Sequence, residues 1–205
     1  MIVLGIAGPS GSGKTTLVRK IAKQLGNSVI LLYDDYRPNY DKLTNDLAEL
    51  RKGNSITYPK NDLLLQPQKY IIIEEPKGRT RNGMNDKIDF LVYINLPLEV
   101  SFTQVLLRSL EQSEDEEINS FYDTIGPQFE PKFSEKPTKL LHIVYWQLKM
   151  YLQEHRQIYL NDHNDQMKDA DLIVDGLKTS EELTKKILND LQIFLEKNEK
   201  IGTTK

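Results

Sequence analysis

The chain contains no cysteine. This absence excludes disulfide bonds, thiolate nucleophiles and thiolate metal sites, and it suits a reducing compartment. No apolar run approaches the roughly 18 residues that a membrane span requires, and the short apolar stretch at the N-terminus lacks the charged flank of a signal peptide. We therefore expect a cytoplasmic protein with no membrane partner.

The chain also has no excess of basic residues and no linker. It contains 27 lysines and arginines against 30 acidic residues, for a formal net charge of −3, so the positive charge typical of a nucleic-acid-binding protein is missing. No stretch rich in proline, glycine and serine divides the 205 residues. We therefore predict a single domain over residues 1–205 and no nucleic-acid partner.

Short apolar runs with strand character alternate with segments of helical periodicity along the chain. The alternation predicts a three-layer α/β/α fold with a five-stranded parallel sheet, in which ligands bind at the carboxyl ends of the strands. The predicted strands are residues 1–7, 28–35, 69–76, 89–97 and 170–176. Five helices are predicted. The first follows Gly13, three cover residues 41–50, 98–110 and 138–159, and the last begins at a Thr179–Glu182 capping box.

Two segments fit neither period. Residues 111–137 are rich in acidic residues and contain three prolines, so we expect a mobile surface excursion there, with a lid over the ligand as its functional form. The tail at residues 198–205 is predicted to be frayed.

The segment GPSGSGKT at residues 8–15 matches the P-loop template G-x-x-x-x-G-K-[ST]. Its glycines allow backbone N–H groups to approach phosphate oxygens, and the following helix presents the positive end of its dipole. Lys14 is placed to contact the β- and γ-phosphates and the Thr15 hydroxyl to ligate Mg²⁺. The segment therefore predicts a P-loop NTPase fold. The predicted nucleotide-binding residues of the loop are Gly8, Ser10, Gly11, Ser12, Gly13, Lys14, Thr15 and Thr16.

Two pairs of acidic residues follow predicted strands and are candidate partners of a metal ion. Asp34 and Asp35 end one run, and Glu74 and Glu75 end another. Adjacent residues of a strand point to opposite sides, so one member of each pair is expected to face the nucleotide. We favour Asp34 and Glu74; the alternative is that these acids only cap the strands at the solvent edge.

Sequence motifs that are missing narrow the class of nucleotide-binding protein. A regulatory GTPase would carry an Asn-Lys-x-Asp motif, and an ABC-type ATPase a Ser-Gly-Gly signature; the sequence contains neither. These absences favour a small-molecule kinase, in which a carboxylate near the acceptor hydroxyl orients it and accepts its proton. The alternative from another class is a nucleotide-sensing protein without kinase activity.

Five segments together resemble the uridine kinase family, which belongs to a wider group with nicotinamide riboside kinase and phosphoribulokinase. They cover most of the chain and read GIAGPSGSGKTTLVRKIAKQL, VILLYDDYRP, IIIEEP, DFLVYINLPLEVSFTQVLLR and ADLIVDGLKTSEELTKKILNDL. The resemblance implies an ATP-dependent kinase that uses Mg²⁺, with Asp34 as the base close to the metal and Glu74 helping to hold it. Lys14 and Asp34 are thus the predicted catalytic residues, and Thr15, Asp34 and Glu74 the predicted metal ligands.

The chain departs from that family at two places. Uridine kinases carry a longer insertion with a His and an Arg that grip the nucleoside, whereas residues 53–69 are short and contain neither. The family also places several arginines on a lid over the phosphates. Here Arg108 is the predicted nucleotide contact, and an acidic run at residues 111–117 follows it.

Residues near the two acidic pairs are candidates for binding the acceptor. Arg79 and Arg81 follow Glu75, and guanidinium groups suit bidentate contact with phosphate oxygens; the alternative is an exposed basic loop. A small-molecule acceptor is expected, with a uridine-like nucleoside as the first guess and nicotinamide riboside, pantothenate or a sugar as alternatives. The predicted substrate-binding residues are Tyr36, Arg37, Tyr40 and Arg79, with Tyr58 as a further candidate.

Overall fold

The computed structural model describes residues 1–111 and 139–202. The chain forms two compact units, one of Met1–Leu96 with His163–Lys205 and one of Pro97–Asp162. The first unit contains the P-loop and a parallel sheet. The predicted acidic excursion lies outside the described residues, except for Glu111, which ends a helix.

Within the described residues, the sheet has five strands, all parallel: β1 Ile2–Ala7, β2 Ser28–Leu32, β5 Tyr70–Glu74, β6 Phe90–Asn95 and β7 Leu172–Asp175. Their order in the sheet is β2-β5-β1-β6-β7. The almost continuously apolar sequences of the inner strands, which are mostly buried, are typical of a parallel sheet that is covered on both faces. The predicted α/β fold is thereby confirmed.

Helices cover the two faces of this sheet in the first unit. Helix α1 (Lys14–Leu25) and the C-terminal helix α6 (Ser180–Gly202) pack on one face, and α2 (Tyr40–Arg51) packs on the other. Side chains alternate between the two faces along each strand, which is why a single strand feeds both cores. In β5, for example, Ile72 packs in the core on the side of α1 and α6, whereas its neighbours Ile71 and Ile73 pack in the core on the side of α2.

Two local features differ from the expected boundaries. Strand β2 ends at Leu32, and a 3₁₀ turn at Tyr33–Tyr36 replaces the predicted end of the strand, so Asp34 and Asp35 lie in a turn. A short antiparallel hairpin of β3 (Ile56–Thr57) and β4 (Leu64–Leu65) follows α2, in a segment for which no strand was predicted.

The second unit is helical in its described part. Helix α3 (Leu98–Glu111) packs against α4 (Lys139–Met150) with a hydrogen bond of 2.6 Å from the Gln147 side-chain amide to the Ser109 hydroxyl. A π-helical segment at Tyr151–His155 leads into α5 (Arg156–Asp169), which therefore ends ten residues later than predicted. No helix within 1–111 and 139–202 is long and apolar enough to span a membrane.

The predicted capping box at the start of α6 is present. The Thr179 N–H donates to the Glu182 carboxylate at 2.9 Å, and the Glu182 N–H donates to the Thr179 hydroxyl at 3.3 Å. These two bonds satisfy donors that a helix start leaves without intrahelical partners. The helix continues to Gly202, past the position where fraying was expected; residues 203–205 lie outside the described ranges.

Replacing the cap tests its contribution to stability. We expect Thr179→Ala to lower the free energy of unfolding by about 1 kcal/mol, because one N–H of the first turn loses its acceptor. The matched control is Lys185→Ala on the exposed face of the same helix, which should change it by less than about 0.5 kcal/mol. Urea denaturation measures both; equal values for the two variants would show that the cap contributes nothing.

Candidate nucleotide and phosphoryl-transfer site

The P-loop connects β1 to α1 through backbone that requires glycine. Gly8, Gly11 and Gly13 have φ angles of 144°, 79° and 79°, which L-residues with a side chain adopt only with strain. At Gly8 the space is also closed, because a Cβ atom there would lie 3.0 Å from the Ile94 carbonyl oxygen and 3.1 Å from the Ser12 hydroxyl. The loop is therefore held in a compact curve next to β6.

Among the residues that the structure describes, no side chain caps the N-terminus of α1. Its N-cap residue is Gly13, and the first turn contains no acidic residue. The N–H groups of this turn and the positive end of the helix dipole thus remain available to an anion. The Ser12 hydroxyl is buried beside them and has no hydrogen-bond partner among the described residues. A phosphate group would supply acceptors for these donors.

Lys14 folds back over its own loop. Its ammonium group donates to the carbonyl oxygens of Gly8 at 3.1 Å and Pro9 at 2.9 Å, and the side chain is buried. The positive charge is thereby held at the mouth of the loop, next to the amides that are expected to face the phosphates. The contact of Lys14 with the phosphates that the P-loop motif predicts stays a prediction.

Thr15 and Glu74 meet at the centre of the sheet edge. The Thr15 hydroxyl donates to a carboxylate oxygen of Glu74 at 2.6 Å. Glu74 is the last residue of β5, whose register places it opposite Ile6 of β1 on one side and Leu32 of β2 on the other. The P-loop follows β1 and the Asp34 turn follows β2. Glu74 therefore lies between the P-loop and Asp34, with about 5 Å to each neighbouring strand.

The two aspartates of the turn have different surroundings. The Asp35 side chain is 10% exposed, accepts a hydrogen bond of 2.6 Å from the Tyr58 hydroxyl and pairs with Lys60 at 2.8 Å. The Asp34 side chain is 69% exposed, and within 1–111 and 139–202 its ion pair is with the exposed Arg37, at 3.1 Å. Asp35 thus anchors the β3–β4 hairpin, whereas the Asp34 carboxylate is accessible to a ligand.

The two glutamates are both buried but contact different partners. Glu75 is fully buried, and its carboxylate accepts a hydrogen bond of 2.7 Å from Arg81. Burial raises the pKa of the Glu75 carboxyl, and the Arg81 guanidinium opposes that rise. Of the two, Glu74 is the residue that the structure brings to Thr15. Its role as a metal ligand stays a prediction, as does that of Asp34.

Two predicted substrate-binding residues lie elsewhere. The guanidinium of Arg79 donates to the carbonyl oxygens of Ile88, Asp89 and Asp169 and to the Asp171 carboxylate, near the amino ends of β6 and β7. It is therefore a structural residue and is not available to an acceptor. Tyr36 is 2% exposed and belongs to the core around α2, so it does not line an open pocket.

The other predicted contacts stay predictions. Arg37 is exposed beside Asp34, and the Tyr40 ring stacks on Tyr33 with 4.3 Å between centroids. Ser10, Gly11 and Thr16 belong to the loop and the first turn of α1. Arg108 is exposed on α3 in the second unit.

Sequence reasoning missed the contacts made by buried charged residues. The pairing of Arg81 with Glu75, and that of Tyr58 and Lys60 with Asp35, join positions six to 25 residues apart without a periodic pattern. The one available signal was that two acidic residues in succession cannot both face the same ligand.

The donors in the site suit a nucleotide with Mg²⁺. Thr15 and Glu74 offer hard oxygen atoms, and Mg²⁺ at a nucleotide takes only one or two protein carboxylates together with phosphate and water oxygens. Over residues 1–111 and 139–202, no three or more His, Asp or Glu side chains gather as a self-sufficient metal site. The oxygen atoms of Thr15 and Glu74 are therefore suited to binding a metal ion that the phosphates of a nucleotide also hold.

The strand order, the glycine loop and the residues at its mouth define a P-loop NTPase fold. A shikimate kinase structure from Bacteroides thetaiotaomicron shares this fold: its TM-score is 0.53 at 14% identity, over 93% of this chain and 98% of that one. The match to a family model is more specific. Residues 1–205 match the KAP family P-loop domain, and the chain belongs to that family.

Curated relatives add a second likeness. A uridine kinase of Staphylococcus haemolyticus is 27% identical over 178 residues, which cover 69% of this chain and 86% of that protein. A uridine kinase of Staphylococcus epidermidis is 29% identical over 173 residues, covering 67% and 83%. The resemblance to the uridine kinase family that the sequence motifs predicted is confirmed by these relatives.

Changing Thr15 tests whether the Thr15–Glu74 contact marks the metal site. Thr15→Val keeps the size of the side chain and removes its hydroxyl. We expect it to weaken binding of a non-hydrolysable ATP analogue about tenfold or more with Mg²⁺ present, because a metal ligand is lost. Titration calorimetry measures this.

The same titration in EDTA is the control. There the variant should bind the analogue as tightly as the wild type does, because the loop amides and Lys14 are unchanged. If Mg²⁺ raised the affinity for the analogue equally in both proteins, Thr15 would not be a metal ligand.

Proposed function

We propose that this protein is an ATP-dependent kinase that transfers the γ-phosphoryl group to a hydroxyl group of a small molecule. One observation carries the proposal: Glu74 contacts Thr15 of the P-loop and lies in register with the strand that leads to the exposed Asp34. A phosphate donor and an acceptor alcohol would meet across that carboxylate. The likeness to uridine kinases supports the same reaction.

The reaction divides among the residues by their positions. The loop amides and Lys14 hold the phosphates and stabilise the charge on the transferred group. The acceptor oxygen bonds to the γ-phosphorus, the bond to the oxygen bridging to the β-phosphate breaks, and ADP leaves. The proton of the acceptor hydroxyl passes to Asp34. Thr15, Glu74 and Asp34 would hold Mg²⁺, which when bound neutralises charge on the phosphate oxygens.

A uridine-like nucleoside is the first acceptor that we propose, because both curated relatives are named uridine kinases. The hairpin of β3 and β4 follows the Asp34 turn and is fixed to it through Asp35. It is therefore an element of the first unit that could cover an acceptor. Nicotinamide riboside, pantothenate and sugars are the other acceptors to be tested.

An assay of ADP release over a panel of nucleosides, vitamins and sugars tests the proposal. A kinase produces ADP only when its acceptor is present. We expect ADP formation that depends on one member of the panel, and we expect Lys14→Ala to abolish most of it while the protein stays folded. A nucleotide sensor would bind ATP and release no ADP with any acceptor. Release independent of the acceptor would indicate simple ATP hydrolysis.

The neighbouring aspartates form a matched pair of variants. We expect Asp34→Asn to lower kcat by about a hundredfold or more, because the variant lacks the group that accepts the acceptor's proton. Asp35→Asn should lower the melting temperature through the loss of its bonds to Tyr58 and Lys60 and leave kcat close to that of the wild type. Steady-state kinetics and thermal unfolding measure the two effects. Equal kcat values for Asp34→Asn and the wild type would contradict the role of Asp34.

A further inference from the structure

Arg81 contacts a sequence neighbour of each of the two carboxylates of the proposed site, Asp34 and Glu74. It forms the pair with Glu75, the residue next to Glu74, at 2.7 Å. Its guanidinium carbon also lies 6.0 Å from the centroid of the Tyr33 ring, and Tyr33 is the residue before Asp34. One side chain therefore contacts the chain neighbours of both carboxylate residues that are proposed to hold the metal, Asp34 and Glu74.

A third contact fixes this arginine to α2. A terminal nitrogen of Arg81 donates to the Thr44 hydroxyl at 3.0 Å and to the Tyr40 carbonyl oxygen at 3.4 Å. The Tyr40 ring is stacked on that of Tyr33. Arg81 thus connects the end of β5, the turn after β2 and the start of α2.

The energetics of these contacts do not favour a purely stabilising role. Removing Glu75 and the guanidinium from water costs free energy that their attraction only partly returns, and a buried ion pair is often no more stable than apolar side chains of the same volume. The second terminal nitrogen of Arg81 is buried and has no hydrogen-bond partner among the described residues, which adds to the cost. The arrangement gives geometric precision more than stability.

We propose that Arg81 is a positioning residue, which fixes the distance between the carboxylates of Asp34 and Glu74. The inference rests on the proposed function, since it concerns the same two carboxylates. If Arg81 acts in this way, its loss misplaces two metal ligands at once. The affinity for Mg²⁺ and kcat then fall together, while the affinity for the nucleotide without metal is retained.

Arg79 provides a matched control two residues away. Its side chain is 15% exposed against 12% for Arg81, and it also pairs with a carboxylate, that of Asp171, at 2.6 Å. Its partners lie at the amino ends of strands β6 and β7, away from Glu74. Arg79→Lys should therefore lower the melting temperature without changing the response to Mg²⁺.

The experiment compares Arg81→Lys with Arg79→Lys. Lysine keeps the positive charge but cannot make the three directed contacts of the guanidinium. For Arg81→Lys we expect a loss of about 10- to 100-fold in the affinity of Mg²⁺ for the complex with a non-hydrolysable ATP analogue, measured by calorimetry. We expect a fall in kcat and little change of analogue affinity in EDTA. Equal Mg²⁺ affinity and kcat in the two variants, at similar losses of melting temperature, would overturn the proposal.

A second variant decides the matter if Arg81→Lys does not fold. Thr44→Val removes the hydroxyl that accepts from Arg81 and retains the side-chain volume, so we expect a smaller loss of Mg²⁺ affinity and kcat in the same direction. Unchanged values would overturn the proposal. The calorimetric measurement does not depend on catalysis. If the wild type shows no ADP release that depends on an acceptor, the kinase function fails, while the binding data still test Arg81.

Discussion

The hydrogen bond from Thr15 to Glu74 is the contact on which the site depends. It joins the first turn of α1, whose amides are proposed to bind phosphate, to the end of a central strand. The parallel register sets the positions of the neighbouring loops, because β1 and β2 flank β5 and end close to the level of Glu74. The P-loop and Asp34 are thereby brought to the two sides of one carboxylate. A small shift in this register would separate the phosphate donor from the proposed base.

The fold and the centre of the site could be predicted because local patterns determine them. Each core strand is a short apolar run that ends at a polar or proline residue, and the P-loop is a contiguous motif whose glycines have a conformational reason. The convergence of Thr15 and Glu74 followed from parallel strands that end at one edge. The alternation of side chains predicted that only one of Glu74 and Glu75 would face the nucleotide, and in the structure Glu74 is the one that contacts Thr15.

The parts that could not be predicted depend on contacts between distant residues. Arg79 and Arg81 are two positions apart and chemically identical, yet one binds carbonyl oxygens at the amino ends of strands and the other pairs with Glu75. Tyr36 was expected at a pocket because it follows Asp34, but the 3₁₀ turn directs it into the core. The alternation of side chains between the two faces of a strand ends where a turn begins. No periodic pattern in the sequence then predicts the direction of a turn residue's side chain.

The most direct test is a crystal structure of the protein with Mg²⁺ and a non-hydrolysable ATP analogue. We predict a metal ion about 2.1 Å from the Thr15 hydroxyl oxygen, with the Glu74 carboxylate beside it. We also predict that the γ-phosphorus faces Asp34, with space between them for one hydroxyl group. A γ-phosphate directed away from Asp34, or a metal ion that contacts neither Thr15 nor Glu74, would contradict these predictions.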